Sequence, residues 1–356
     1  MDKQKPTEHF DVLIVGAGIS GVGGAYHLQN QCPEKRFVVL EAQGSFGGTW
    51  ITHKYPGIRS DSDLYTFGYR FKPWTGAPIA TAAEILSYMG EVIQENDLSR
   101  HIRYGHEILS AAWSSADKCW TLEARKRATG ELCRFTAGFL WMCQGYYRHS
   151  VGYTPEWPGM KRFAGQIVHP QNWPDDLSLT DKKVVVIGSG ATAATLVPAV
   201  AGHCAKVTML QRSPTYFVTG RNANELADTL RELDIAPEWI HEIVRRKILK
   251  DQATITRRSF TEPEVLKAEL LAGVRKYLGP DFDIDKHFTP RYRPWRQRIA
   301  FIPNGDLFEA VRDGKADVVT DEIEAFVENG IMLRSGQLLG SRCHRHGNRV
   351  QPQRIG

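Results

Sequence analysis

Two stretches of this chain carry the same run of small residues at the same place between an apolar segment and a helical one. That repetition limits the fold more than any other feature. Residues 10–15 are apolar, Gly16-Ala17-Gly18-Ile19-Ser20-Gly21 follows, an amphipathic stretch reaches residue 29, and a second apolar run occupies 37–40. Residues 183–187 read as a second strand, apolar after Lys183, and Gly188-Ser189-Gly190-Ala191-Thr192-Ala193 follows; a helical stretch then runs through residue 201, before a strand-like run at 206–210. Each is the pattern of strand, tight turn, helix and parallel strand. A helix opened by a glycine turn presents its first backbone N–H groups without partners, which suits an anionic pyrophosphate. The expected fold is α/β, with two Rossmann-like dinucleotide-binding domains.

The residues at the ends of the second strands distinguish the two turns. Glu41 stands 20 residues after Gly21. A carboxylate there accepts hydrogen bonds from ribose hydroxyls, so the nucleotide should lack a 2′-phosphate, as FAD and NAD do. Arg212 stands 19 residues beyond Ala193, followed by Ser213. A guanidinium there suits a 2′-phosphate and predicts NADPH. The bland alternatives are a glycine turn without a ligand and an ordinary surface arginine. Taken together, the turns imply a flavin reduced by NADPH.

The rest of the chain fills in around these units. Residues 113–116, 120–124 and 133–143 read as strands, with a turn at Thr129-Gly130. Residues 224–278 have helical spacing, as in Leu226, Leu230 and Leu233 or Trp239, Ile243 and Ile248, and read as a solvated helical insertion without chemistry. Val318-Val319 and residues 331–333 read as short strands returning to the second domain. The expected boundaries are 1–150 for the FAD domain, 151–222 with 287–339 for the NADPH domain, and 223–286 for the insertion.

Charge and cysteine usage exclude other classes. The net charge is +5, and residues 340–356 hold Arg342, Arg345, Arg349 and Arg354 without an acid. The body is therefore nearly neutral, which argues against a nucleic-acid-binding protein. None of the 6 cysteines forms a C-x-x-C pair, so reduced thiols in a cytoplasmic protein are expected. Residues 1–10 are polar and do not read as a signal peptide. The most membrane-like stretch, 184–202, is interrupted by Gly188, Ser189, Gly190 and Pro198, so no transmembrane segment is expected.

Two longer patterns add a family resemblance. Phe163, Gly165, His169, Trp173 and Pro174 fit F-x-G-x3-H-x3-W-P, and Gly47, Gly48, Trp50, Tyr55, Pro56, Gly57 and Asp61 fit G-G-x-W-x4-Y-P-G-x3-D. Both resemble fingerprints of the Baeyer–Villiger flavin monooxygenases; related amine and sulfide oxygenases carry Tyr or Phe in place of Trp173. The resemblance spans residues 10–339, and residues 55–63 and 211–216 resemble the ethionamide-activating members. It implies a monooxygenase that takes FAD and NADPH and inserts one oxygen of O2, through a C4a-peroxyflavin, into a ketone or onto a soft heteroatom such as thioamide sulfur. By position it implies that Thr49, Trp50 and Asp61 line the flavin and that Arg59 and Ser60 lie beside the nicotinamide nucleotide. Arg298 matches the family's catalytic arginine, oriented by Asp61. Arg291, Arg293 and Arg296 lie nearby, and the residues alone do not choose among the four. His169 is expected to be structural.

Residues 340–356 depart from the family pattern. One permitted codon choice, read one base later, gives Glu-Ala-Asp-Val-Ile-Val-Thr-Ala-Thr-Gly, a segment the family has here. The expectation is a frameshifted, C-terminally shortened chain with a disordered tail, poor FAD retention and a tendency to aggregate. No metal site is expected; Cys343, His344 and His346 are the alternative. A flavin reductase without oxygenation and a non-catalytic nucleotide-binding remnant are the rival readings.

Overall fold

The structure is a computed structural model that describes residues 7–149, 151–340 and 353–355. The chain divides into two units. Residues 1–53 and 82–150 form the first, and residues 54–81 and 151–356 form the second.

The first unit is built on one mixed sheet. Its strands are β1 (Glu8–Val15), β2 (Phe37–Leu40), β3 (Ile102–Arg103), β4 (His106–Ser114), β5 (Cys119–Lys126) and β6 (Leu132–Met142), in the order β3-β2-β1-β6-β5-β4. β3, β2, β1 and β6 run parallel, while β4, β5 and β6 form an antiparallel meander. All four residues of β2 are buried, as expected of a strand inside a parallel sheet. Phe10, Leu13, Val38, Leu40, Leu122 and Phe135 make the core. The helix Ile19–Gln31 brings Gly24 near Ile14 and Trp141, where a β-carbon would make ordinary contacts at 3.4 and 3.6 Å. The helix Ala82–Glu95 buries Ile85, Tyr88, Met89, Val92 and Ile93, which recur at helical spacing. By contrast, Leu109 and Trp113 on β4 and Phe139 and Trp141 on β6 are exposed.

The second unit has a parallel sheet of β7 (Ile167–Val168), β8 (Lys183–Ile187), β9 (Lys206–Gln211), β12 (Ala316–Thr320) and β16 (Gln353–Ile355), in the order β12-β9-β8-β16-β7. β10 (Tyr216–Gly220) and β11 (Ile299–Pro303) form a separate parallel pair. β13 (Ile323–Val327), β14 (Gly330–Leu333) and β15 (Leu338–Gly340) form an antiparallel sheet. The helices Glu225–Glu232, Pro237–Thr261 and Pro263–Leu278 fill the expected insertion. Among the described residues no helix is long and apolar enough to cross a membrane.

Two expectations differ from what is observed. Residues 54–81 belong to the second unit, because Tyr55 packs with Ala193 and Leu196 while Tyr65 packs with Ala227, Ile240 and Val244. β14 returns to the second unit as expected, within a separate antiparallel sheet that covers Phe163 and Val185 through Phe326, Ile331 and Leu333. In the segment expected to be disordered, Gln353–Ile355 pair with β7 and β8; residues 341–352 and 356, with the alternative Cys343, His344 and His346 site, lie outside the described residues.

A β-carbon at Gly21 would lie 1.8 Å from the Gly16 carbonyl oxygen, whereas at Gly44 it would meet nothing within 4 Å. Gly21→Ala should therefore destabilise the first unit by more than about 1 kcal/mol, and Gly44→Ala should stay within about 0.5 kcal/mol of the parent. Urea unfolding of both variants followed by tryptophan fluorescence checks this. Equal midpoints would show that the turn can open at little cost.

Candidate nucleotide sites and the Arg298 pair

In the first unit the glycine turn is held by backbone packed against backbone. Gly16 has φ 100°, and a β-carbon on it would lie 2.7 Å from the Cys143 carbonyl oxygen. Gly47 N–H donates to the Ala17 carbonyl at 3.0 Å, and a β-carbon on Gly48 would stand 3.1 Å from Gly18 Cα. The two glycine loops therefore touch without side chains between them. Gly18 ends the turn as the helix cap, and Ser20, in the first turn, is exposed. Thr49 and Trp50 open the short helix Thr49–Thr52 beside this turn and are half-buried. The Cys143 thiol, also half-buried, is pushed up by burial and stays protonated at neutral pH.

Glu41 is 7% exposed, and both carboxylate oxygens are used: Oε2 accepts from Ala17 N–H and Oε1 from Gln43 N–H, each at 2.7 Å. A carboxylate offers about four acceptor sites, so two remain for ribose hydroxyls. The backbone-lined turn and the spare acceptor capacity fit a nucleotide without a 2′-phosphate.

In the second unit Gly188 has φ 124°, and β-carbons on Gly188 and Gly190 would meet nothing within 4 Å. This turn opens onto free space rather than packed backbone. Gly190 caps the helix Ala191–Val200, and the helix has no acidic residue in its first turn. Ala191 and Thr192 are half-buried and Ala193 is buried. Ser189 hydrogen-bonds to the Ser213 carbonyl at 3.2 Å and to the Thr215 hydroxyl at 2.8 Å, fixing the turn against the end of β9. Arg212 and Ser213 are exposed, and Arg212 makes no hydrogen bond or ion pair among the described residues. Its charge is available to an anion, which fits the phosphate expectation.

The loop that follows Lys54 lies on this same unit. Tyr55 hydrogen-bonds to Thr192, and burial pushes its phenol up. Gly57 has φ 75°, and a β-carbon there would stand 2.5 Å from Ala199 Cβ. Ser60 is 5% exposed, with its hydroxyl accepting from Ala80 N–H at 3.2 Å, so its side chain anchors the loop. Arg59 is not a free cation; it makes a bidentate pair with Asp306 at 2.5 and 3.2 Å. Arg298 Nη2 lies 2.7 Å from Asp61 Oδ1. Of the four neighbouring arginines, Arg293 instead stacks on Phe260 at 3.9 Å, and Arg296 donates its backbone N–H to the Arg293 carbonyl. That turn places Trp295 at φ 61°, a position that usually calls for Gly.

Sequence reasoning did not find Asp306, which stands 247 residues from Arg59. Nor did it find Thr215 as the partner of Ser189, although both lie in quoted motifs. Tyr216 donates to the Tyr292 carbonyl at 2.7 Å and is pushed up to about 12, mainly by burial, so it acts as a fixed donor. His169 accepts from Gln171 N–H at 3.2 Å and caps a short turn.

Comparison with known proteins decides the family. The FAD-containing monooxygenase EthA of Mycolicibacterium smegmatis is 49% identical over 335 residues, covering 94% of this chain and 68% of that protein. The chain belongs to the FAD-containing monooxygenases. Other members are the putative FAD-containing monooxygenase MymA of Mycobacterium tuberculosis, 44% identical with 93% and 67% of the chains covered, and the probable FAD-binding monooxygenase AlmA of an Acinetobacter species, 46% identical with 92% and 66% covered. Residues 78–227 match the flavin-binding monooxygenase-like family, and residues 14–74 match the NAD(P)-binding Rossmann-like domain. The fold is that of an oxidized steroid monooxygenase bound to NADP (TM-score 0.75, 22% identity, 98% of this chain and 70% of that one). It is also that of the open form of cyclohexanone monooxygenase (TM-score 0.73, 20% identity, 98% and 73% covered).

Within this monooxygenase the two turns should respond differently to the same change. Gly190 has φ −77°, an ordinary value, and open space above it. Gly190→Ala should fold with unchanged stability yet weaken NADPH binding by about tenfold or more, because the new methyl group occupies the path by which a pyrophosphate approaches the backbone. Calorimetric titration with NADPH, alongside a melting curve, tests both halves; unchanged affinity would remove the turn from the site.

Proposed function

We propose that the chain is an FAD- and NADPH-dependent monooxygenase of the Baeyer–Villiger type, acting on a ketone or on a soft heteroatom such as thioamide sulfur. The observation that carries this reading is the Asp61–Arg298 pair. A reductase without oxygenation has no need of an oriented cation there. An oxygen-inserting enzyme does need one, because negative charge develops on oxygen as a carbonyl is attacked.

The FAD turn is Gly16, Gly18, Ser20 and Gly21, with Glu41 for the ribose and Thr49 and Trp50 toward the ring. The NADPH turn runs from Gly188 to Ala193, with Arg212 and Ser213 for the 2′-phosphate. The flavin, once reduced by NADPH, supplies the chemistry that activates O2 and delivers one of its atoms to the substrate. The chain's own residues supply binding and charge. Arg212 offers planar, charge-assisted donors to phosphate. A guanidinium carries its charge without giving up a proton, so Arg298 can stabilise negative charge as it develops. Its side chain is 57% exposed while Asp61 aims it, a combination that leaves the guanidinium accessible to a ligand. Asp61 meets one nitrogen of the guanidinium as an ion pair, and a guanidinium carries five N–H donors in all.

Two outcomes test this reading. Arg212→Ala should weaken NADPH binding about tenfold, the equivalent of about 1.5 kcal/mol for a charge-assisted hydrogen bond, and leave NADH binding unchanged. Equal losses for both nucleotides would overturn the phosphate role. Arg298→Ala should leave NADPH-driven bleaching of the flavin absorbance intact and lower the yield of ester from a ketone, or of S-oxide from a thioamide, by about a hundredfold. Wild-type yields from Arg298→Ala would overturn the Baeyer–Villiger reading.

A further inference from the structure

The loop of residues 55–63 carries a cation and an anion two positions apart, and each meets its opposite on one short stretch of chain. Arg59 pairs with Asp306, and Asp61 pairs with Arg298. Arg298 and Asp306 lie on either side of β11. The two pairs are not equivalent. Asp61–Arg298 is a single contact whose guanidinium is 57% exposed, and an exposed pair of that kind does little to hold its own geometry. Arg59–Asp306 is bidentate, with side chains 18% and 30% exposed, and a fork-to-fork pair fixes direction as well as distance.

Asp306 is itself held firmly. Asn304 and Gly305 before it are both left-handed, at φ 57° and 73°. The Asn304 N–H donates to the Gly220 carbonyl at 2.7 Å, and its side-chain oxygen accepts from Asn222 N–H at 2.9 Å. Asp306 Oδ1 also accepts from Leu307 N–H at 2.8 Å. On the other side, Ser60 sits between the two charged residues and exchanges hydrogen bonds with Ala80, through its N–H at 2.8 Å and its hydroxyl at 3.2 Å. Tyr55 and Gly57 pack on the second unit before this stretch, and Ser60 holds the backbone against Ala80. Arg59 adds a side-chain tie to Asp306 two residues before the Asp61 carboxylate.

We propose that Asp306 is a positioning residue: by gripping Arg59 it sets the direction of the loop, and so places the Asp61 carboxylate where it holds Arg298. This rests on the role given to Arg298 above. It also gives Arg59 a different task from the nucleotide contact that family position implies. Asp306→Asn keeps the size and the cap on Leu307 but loses the charge that grips Arg59. Asp306→Glu keeps the charge. A double exchange, Arg59→Asp with Asp306→Arg, keeps a pair with its sense reversed.

The test reads Arg298 directly in the full chain. Phenylglyoxal modifies unpaired guanidinium groups, and peptide mass spectrometry gives the rate at Arg298. Asp306→Asn should raise that rate about threefold, the scale of an exposed ion pair, toward the rate of Asp61→Asn. Asp306→Glu should bring it back to the parent value, with the double exchange as a second rescue. Amide exchange across residues 57–63 should rise in Asp306→Asn and fall again in Asp306→Glu. NADP+ affinity should stay within about twofold of the parent in Asp306→Asn, since Arg59 is a loop anchor here. If Arg298 is modified at the parent rate in Asp306→Asn, the positioning role is wrong. A tightening of NADP+ binding beyond that range would also overturn it, because it would mean that Asp306 merely withholds Arg59 from the nucleotide. Failure of the parent to oxygenate any ketone or thioamide would remove the role given to Arg298, while the labelling rates would still decide whether Asp306 positions it.

Discussion

Close contact between one backbone and another is the constraint on which the first unit depends. Gly16 lies against the Cys143 carbonyl, Gly21 lies against Gly16, and Gly48 lies against Gly18. Each contact leaves no room for a β-carbon. Strand ends and loops can then converge on one turn, and the turn's N–H groups stay uncovered. The carboxylate of Glu41 strengthens the arrangement by holding Ala17 and Gln43 from the end of β2. The second unit solves the same problem differently. Its glycines at 188 and 190 face open space, and Ser189 and Thr215 set the turn through hydroxyl groups. Glycine in the first turn is a condition of packing, whereas Gly188 in the second is required by its backbone angle of φ 124° with open space around it.

The parts of the fold legible in the sequence are those governed by short-range rules. β2 and β8 occur at the expected residues, since a continuous apolar run beside a glycine turn has few other readings. The helical insertion was legible from its spacing alone. The membership of residues 54–81 was not, because it depends on where Tyr55 and Tyr65 find apolar partners, and those lie well over a hundred residues further on. β14 was legible as a strand but not as part of a separate sheet. Strand propensity reports a pleated, half-buried surface and says nothing about which partner covers it.

The candidate site divides in the same way. Glycine turns and the charges at strand ends follow from local spacing, and Glu41 and Arg212 were found on that basis. Arg298 was chosen over three neighbouring arginines by resemblance, and the structure shows what separates them. Arg293 is occupied by Phe260, Arg296 enters a turn through its backbone, and Arg298 alone of the described contacts among these four meets Asp61. Asp306 had no local signal, since an aspartate after Asn-Gly reads as an ordinary helix start. Arg59 was recognised by motif position, but its partner could not be.

The connection of residues 54–81 to the second unit also bears on how the chain is made. This segment emerges during synthesis long before the residues that hold it: Arg59 precedes Asp306 by 247 positions. Until then Tyr55 and Tyr65 have no burial site in their own unit, and the acid and base of the loop have only solvent for company. The first unit must therefore close around a gap between residues 53 and 82 while the intervening loop waits. The pace of that waiting is set by translation and not by the loop's own chemistry, since a ribosome adding about 5–20 residues per second takes many seconds to supply the partners. Vectorial folding from the N-terminus thus ends, for this segment, with a contact made 247 residues after Arg59.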